Sequence, residues 1–158
     1  MKYTRESLDK RVVLAVVLFG SGYNCSQAVV AAFADLYGFS REQALKMSSS
    51  FGGGIGRMRE TCGAACGLFL VAGLETGATE ATDRAGKSAN YALVQDLAKK
   101  FEEINGSICC AELLGIKDKV IRDPQAAERT QEYYKKRPCA KMVESAAQIW
   151  ADYLFEKN

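Results

Sequence analysis

The chain has 158 residues, of which 48% are apolar and 25% are charged, and this suits one globular domain with its own core. Its 21 lysines and arginines nearly balance 19 aspartates and glutamates, so neither nucleic acid nor an anionic membrane is favoured as a partner. The sequence contains no histidine, which excludes Cys-His and Ser-His catalytic pairs, Cys2His2 zinc sites and His-ligated haem.

The sequence also bears on the cellular compartment. The longest apolar run, residues 12–19, is too short to span a bilayer, and the first ten residues lack the shape of a signal peptide. We therefore expect no membrane insertion and a cytoplasmic location. Thiols are usually reduced there, so the six cysteines indicate metal binding or redox chemistry rather than a disulfide framework.

Capping residues mark the first three predicted helices. Thr4 begins a helix that ends at the glycines of residues 20–22. The motifs NCSQ and SREQ each place a capping residue three positions before a glutamine, which is a capping box. They predict helices over residues 25–37 and 41–50, and the stretch FGGGIG at residues 51–56 then breaks the chain.

The rest of the chain also has helical patterns and no alternating strand pattern. The further helices are predicted over residues 62–76, 79–104, 108–114, 124–136 and 139–155. The long helix is predicted to turn Tyr91, Val94, Leu97, Ala98 and Phe101 inward. Residues 1–158 are thus predicted to form a single compact all-α domain of about seven helices, the segment at 108–114 being short.

The cysteines cluster at the starts of predicted helices. Five of the six fall in first turns, after the predicted caps Asn24, Thr61 and Ser107 or after Pro138: Cys25, Cys62, Cys109, Cys110 and Cys139. A helix start carries unpaired N–H groups and partial positive charge, which lowers the pKa of a thiol and also favours an anionic iron–sulfur cluster. We therefore predict that these helix starts converge on one site and that its thiols have lowered pKa values.

The spacing of the cysteines carries a family resemblance. The residues concerned are Cys25 in NCSQAV, then Cys62, Gly63, Ala64 and Gly67 in CGAACG, Cys110 in CAELLG and Cys139 in PCAKMV. With the lead-in FGGGIGR, this pattern over about residues 23–145 resembles the redox-active proteins named for the C_GCAxxG_C_C signature. The resemblance implies a small helical protein with four hallmark cysteines, often encoded near transporter genes, and a related domain occurs in cytochromes that carry an iron–sulfur centre. Cys66 and Cys109 are additional to the pattern.

Other motifs have ordinary structural explanations. FGGGIGRMRE lacks both the spacing of a dinucleotide fingerprint and the GK[ST] of a phosphate loop, so it predicts an irregular turn that brings Arg57 and Arg59 near the thiols. YYKKRP suits either an acidic redox partner or a solvated helix end. The small-residue faces suit either a homodimer contact or packing within the chain: Ala28, Ala31, Ala32, Gly63 and Gly67.

Four functions remain open from the sequence. In the first, an iron–sulfur cluster is ligated by Cys25, Cys62, Cys110 and Cys139. The protein is then an electron carrier rather than a stand-alone enzyme, and it exchanges electrons with a redox partner protein. The resemblance links this partner to a transporter system. In the second, Cys62 forms a thiol–disulfide couple with Cys25 or Cys110, without a metal. The third is structural zinc at the same four cysteines. The fourth is a helical interaction module whose cysteines pack in the core.

Overall fold

Helices form nearly all of the regular structure. The computed structural model describes residues 2–158, and within that range it contains eight α-helices and no β-strand. The α-helices are α1 (Arg5–Gly20), α2 (Cys25–Phe33), α3 (Arg41–Ser48), α4 (Gly63–Thr76), α5 (Arg84–Asn105), α6 (Cys110–Leu113), α7 (Gln131–Lys136) and α8 (Cys139–Lys157). Two short 3-10 helices, Ala34–Tyr37 and Ser49–Phe51, continue α2 and α3. The all-α prediction is confirmed.

The predicted capping boxes are present. The Asn24 side chain accepts a hydrogen bond from the Gln27 backbone at 2.9 Å, and the Gln27 side chain accepts one from the Asn24 backbone at 3.0 Å. Ser40 and Gln43 exchange the equivalent pair at the start of α3. Each box satisfies two backbone donors that a helix start leaves free, so the local sequence fixes where these helices begin.

One buried core joins the long helices. Helix α1 packs against α8, α2 lies between α1 and α4, and α5 packs on α4 and α8. The largest fully buried side chains include Trp150, Phe33 and Phe101. Helices α2 and α4 approach closely because α4 has glycine at residue 67, where a Cβ would lie 2.9 Å from the Cβ of Val29. No helix in the described part of the chain is long and apolar enough to cross a membrane.

The long helix α5 differs from its prediction in two respects. It begins at Arg84 rather than at residue 79, because the Asp83 side chain accepts a hydrogen bond from the Gly86 backbone at 2.8 Å and caps the helix there. Its buried residues are Leu97 and Phe101, as predicted, but Tyr91 is 62% exposed and does not belong to the inner face.

The helix predicted over residues 124–136 is present only in its second half. Residues 116–130 are not helical, and α7 starts only at Gln131. We call residues 116–130 the strap. Arg129 anchors it by donating hydrogen bonds to the backbone oxygens of Phe19 at 3.0 Å and Tyr23 at 2.8 Å. These tertiary bonds hold the strap against the end of α1 and the segment that precedes α2.

Candidate functional site

Four cysteines line one pocket, although up to 114 positions separate them in the sequence, between Cys25 and Cys139. Cys25 is the first residue of α2, Cys62 caps α4, Cys110 is the first residue of α6 and Cys139 is the first residue of α8. We call this cavity, of about 60 Å³, the thiol pocket. The structure therefore brings together the four cysteines that the sequence predicts to share a site.

A glycine at the start of α4 makes room for one of these sulfurs. A Cβ on Gly63 would meet the Cys25 sulfur far inside van der Waals contact and would lie 2.8 Å from the backbone oxygen of Phe51. Gly63 directly follows Cys62. The small residues around Cys62 therefore serve to seat a second sulfur against the backbone beside it.

A strained glycine-rich loop forms another wall of the pocket. We call residues 52–60 the glycine loop. Residues 53–57 all have positive φ, and so does Arg59, so that three non-glycine residues, Ile55, Arg57 and Arg59, adopt a conformation that costs each of them free energy. At Gly54 a Cβ would lie 2.6 Å from the Cβ of Cys110, so only glycine fits this approach. The predicted irregular turn is confirmed.

Backbone hydrogen bonds tie the glycine loop to the segment that carries Cys110. The Cys110 backbone donates to the Glu60 oxygen at 2.6 Å, and the Cys62 backbone donates to the Ile108 oxygen at 2.6 Å. The Arg59 guanidinium donates to the Cys110 sulfur at 3.8 Å. These bonds hold Cys62 and Cys110 side by side, although no disulfide joins them.

Two helix caps differ from the prediction by one or two residues. Cys62, rather than Thr61, caps α4, and Cys109, rather than Ser107, caps α6. Ser107 instead accepts a hydrogen bond from the Cys109 backbone at 2.9 Å. The shift has one cause at both places: the Thr61 and Cys109 segments pair as an isolated antiparallel bridge, which delays each helix.

The predicted lowering of the thiol pKa values is wrong for most of the site. Burial raises the pKa of Cys139 to about 11 and that of Cys62 well above its ordinary value, and the nearby Cys25 adds to both shifts. Burial also raises the pKa of Cys110, although Arg59 partly offsets it. Loss of hydration thus outweighs the field of the helix starts at these three residues, and the thiols of Cys62, Cys110 and Cys139 are predominantly protonated at neutral pH.

The two additional cysteines lie outside the thiol pocket. The Cys66 thiol donates to the Thr61 oxygen at 3.6 Å, and burial raises its pKa to about 12. The Cys109 thiol donates to the Arg59 oxygen at 3.7 Å. Of the vicinal pair, Cys110 therefore faces the pocket while Cys109 packs against the glycine loop.

Three arginines also line the thiol pocket: Arg59, Arg129 and Arg137. None of them has a carboxylate within 4.0 Å anywhere in residues 2–158. The sequence indicated Arg59 by its place in the glycine loop, but it missed the other two. Arg137 had a signal, since it stands two residues before Cys139, whereas Arg129 reaches the site only through the strap.

The described side chains include no group of three or more cysteines, aspartates or glutamates placed to hold a metal ion. The role of the four pocket cysteines as ligands therefore stays a prediction.

A family model described as "Putative redox-active protein (C_GCAxxG_C_C)" matches residues 23–153. The chain belongs to the C_GCAxxG_C_C family. The match confirms the resemblance predicted from the cysteine spacing, and the redox activity in the family's description agrees with the prediction. All six cysteines of this C_GCAxxG_C_C protein lie within the matched residues. No curated protein and no solved structure matches the chain.

Proposed function

We propose that this C_GCAxxG_C_C protein binds an iron–sulfur cluster through Cys25, Cys62, Cys110 and Cys139 and transfers electrons. The observation that carries the proposal is that these four cysteines, from four separate helix starts, line one cavity, although their side chains are not placed there as a ready-made metal site. Cysteine thiolates are the usual ligands of such clusters, and four of them are the usual number. The cluster would supply one-electron chemistry, and the chain would hold it and set its potential.

The shape of the thiol pocket supports a bulky sulfur centre. Its volume of about 60 Å³ exceeds the roughly 10–15 Å³ that one ordered water needs. Gly54 and Gly63 keep Cβ atoms away from Cys110 and from the Cys25 sulfur. The backbone therefore approaches the sulfurs directly, which is also how N–H groups reach cluster sulfurs and tune a potential.

The charges around the pocket support an anionic centre. A cluster with four thiolate ligands carries net negative charge. Arg59, Arg129 and Arg137 line the pocket without carboxylate partners in the described chain, so their positive charges are available to offset it. The raised pKa of Cys139 and Cys62 implies that these two thiols are neutral in the metal-free protein, so the binding of iron would have to release their protons.

A second candidate is a thiol–disulfide couple of Cys25 and Cys62. It is supported by the seat of the Cys25 sulfur against Gly63, the residue next to Cys62. However, exchange requires a thiolate, and the raised pKa of Cys62 leaves very little of it at neutral pH. The iron–sulfur proposal does not share this difficulty, because a metal ionises its own ligands.

The two candidates are separated by single cysteine variants prepared without oxygen. We expect Cys62→Ala and Cys139→Ala to lose most of the iron, sulfide and visible absorption of the parent protein, while Cys66→Ala, a buried cysteine outside the pocket, retains them. Equal iron in Cys62→Ala and Cys66→Ala would contradict the assignment. Mass spectrometry after alkylation tests the second candidate, which requires a defined bond between Cys25 and Cys62 in oxidised protein.

A further inference from the structure

A second cavity opens beside the thiol pocket. It has a volume of about 430 Å³, and four arginines line it: Arg57, Arg59, Arg129 and Arg137. We call this cavity the arginine groove. The glycine loop forms one wall, and Pro124, Ala126 and Ala127 of the strap form another. Its volume falls in the range of small-molecule sites, and Arg59, Arg129 and Arg137 line both cavities, so the groove is adjacent to the thiol pocket.

The groove has a strong positive charge that its own walls do not neutralise. No aspartate or glutamate among the described residues lines it. Of its four arginines, only Arg57 has an ion pair, with Asp123 at 3.5 Å. The Asp123 side chain is 59% exposed, so solvent screens this pair and a ligand can compete with it.

The protein holds these arginines in place from separate elements. Arg57 and Arg59 sit at positive φ in the glycine loop, which other backbone bonds enforce. Arg129 is fixed by the oxygens of Phe19 and Tyr23 and lies over the Phe19 ring, 4.6 Å from its centre. Like charges held together repel one another, so an arrangement fixed in advance suits the recognition of an anion.

We propose that the arginine groove binds a small polyanion that carries phosphate or carboxylate groups and places it beside the thiol pocket. Guanidinium groups present planar pairs of donors that match both kinds of oxyanion. The glycine loop and the strap border a half-open volume of metabolite size, and on this ground the proposed ligand is a small molecule and not a long acidic peptide. The proposal rests on the arginines and the groove and not on the cluster, so it can fail or succeed independently of the proposed function.

Calorimetric titration tests this site with two probes, pyrophosphate for phosphate chemistry and citrate for carboxylate chemistry. Both are titrated at constant ionic strength against a chloride blank, into protein whose iron content is measured in each sample. We expect at least one probe to bind the parent protein. We expect the affinity of that probe for Arg57→Gln and for Arg137→Gln to be at least tenfold lower than for the parent. Arg122→Gln is the matched control, because Arg122 lies in the strap outside the groove, and we expect its affinity to change less than twofold.

Three results would overturn the proposal. The first is heat no larger than the chloride blank for both probes, and the second is parental affinity in both Arg57→Gln and Arg137→Gln. The third is binding of a deca-glutamate peptide without binding of either small probe, which would make the groove a contact for an acidic protein. Because iron content is recorded in every titration, loss of anion binding with iron retained is distinguishable from failure of the cluster itself.

Discussion

The substitution Gly63→Ala tests how the Cys25 sulfur is seated in the thiol pocket. The added methyl would collide with that sulfur and lie 2.8 Å from the Phe51 backbone oxygen. The sulfur is on a short side chain and the oxygen belongs to the backbone, so neither can yield without moving a wall of the pocket. Overpacking of this kind costs about 1–3 kcal/mol of stability.

A matched control lies in the same helix. A Cβ on Gly73 would meet no other atom within 4 Å. Gly73 lies within α4, away from both of its ends, and is exposed to solvent. Alanine is favoured over glycine inside helices, so Gly73→Ala is expected to stabilise the protein by about 0.5–1 kcal/mol. Both variants replace glycine with alanine in the same helix, but we expect Gly63→Ala to lower the free energy of unfolding and Gly73→Ala to raise it.

Urea denaturation of reduced protein measures both free energies of unfolding, and iron analysis after anaerobic reconstitution measures the site. We expect Gly63→Ala to be less stable than the parent and to bind less iron, because Cys25 is displaced. We expect Gly73→Ala to keep its iron. If Gly63→Ala matched the parent in stability and iron content, the described seat of the Cys25 sulfur would be refuted.

Three further predictions concern the pocket's surroundings. Burial raises the pKa of Cys139 to about 11, so between about pH 9 and 11 the folded reduced protein holds more protons than the unfolded chain. We therefore expect the urea midpoint of metal-free protein to fall as the pH rises across that range. A constant or rising midpoint would contradict this. Arg59→Gln removes the cation 3.8 Å from the Cys110 sulfur and should slow alkylation of Cys110 relative to Arg122→Gln, and equal rates would exclude the interaction. Arg129→Ala removes the hydrogen bonds from the strap to Phe19 and Tyr23 and leaves the contact between Arg57 and Asp123. We expect it to lower the free energy of unfolding by about 1–3 kcal/mol and to speed proteolytic cleavage within residues 116–130. An unchanged cleavage rate would show that the remaining contacts are enough to hold the strap.

Local signals in the sequence were enough to place most helices. Asn24 and Ser40 cap their helices through contacts with residues three positions away, so the sequence contains all the information needed. The strap shows the opposite case. The hydrogen bond from Arg129 to Phe19 joins residues 110 positions apart, and no local pattern marks it. A proline after Asp123 suggested a helix start, but the tertiary contacts hold a non-helical segment instead.

The sequence was enough to predict which cysteines line the site, but it was not enough to predict their pKa values. Because helix starts are readable, the cysteines at those starts could be grouped, and Cys25, Cys62, Cys110 and Cys139 line one pocket. Their pKa values depend on burial, which comes from packing among distant elements and outweighs the field of a helix start. Arg129 joins the site through the same distant packing.

The most direct test of the central claim is the iron and acid-labile sulfide content of protein purified without exposure to oxygen. The account predicts coloured protein with both elements in equal amounts, at least two of each per chain. The account would be contradicted by protein that is colourless and contains neither element, both when it is purified from cells grown with ample iron and after it is refolded with iron and sulfide.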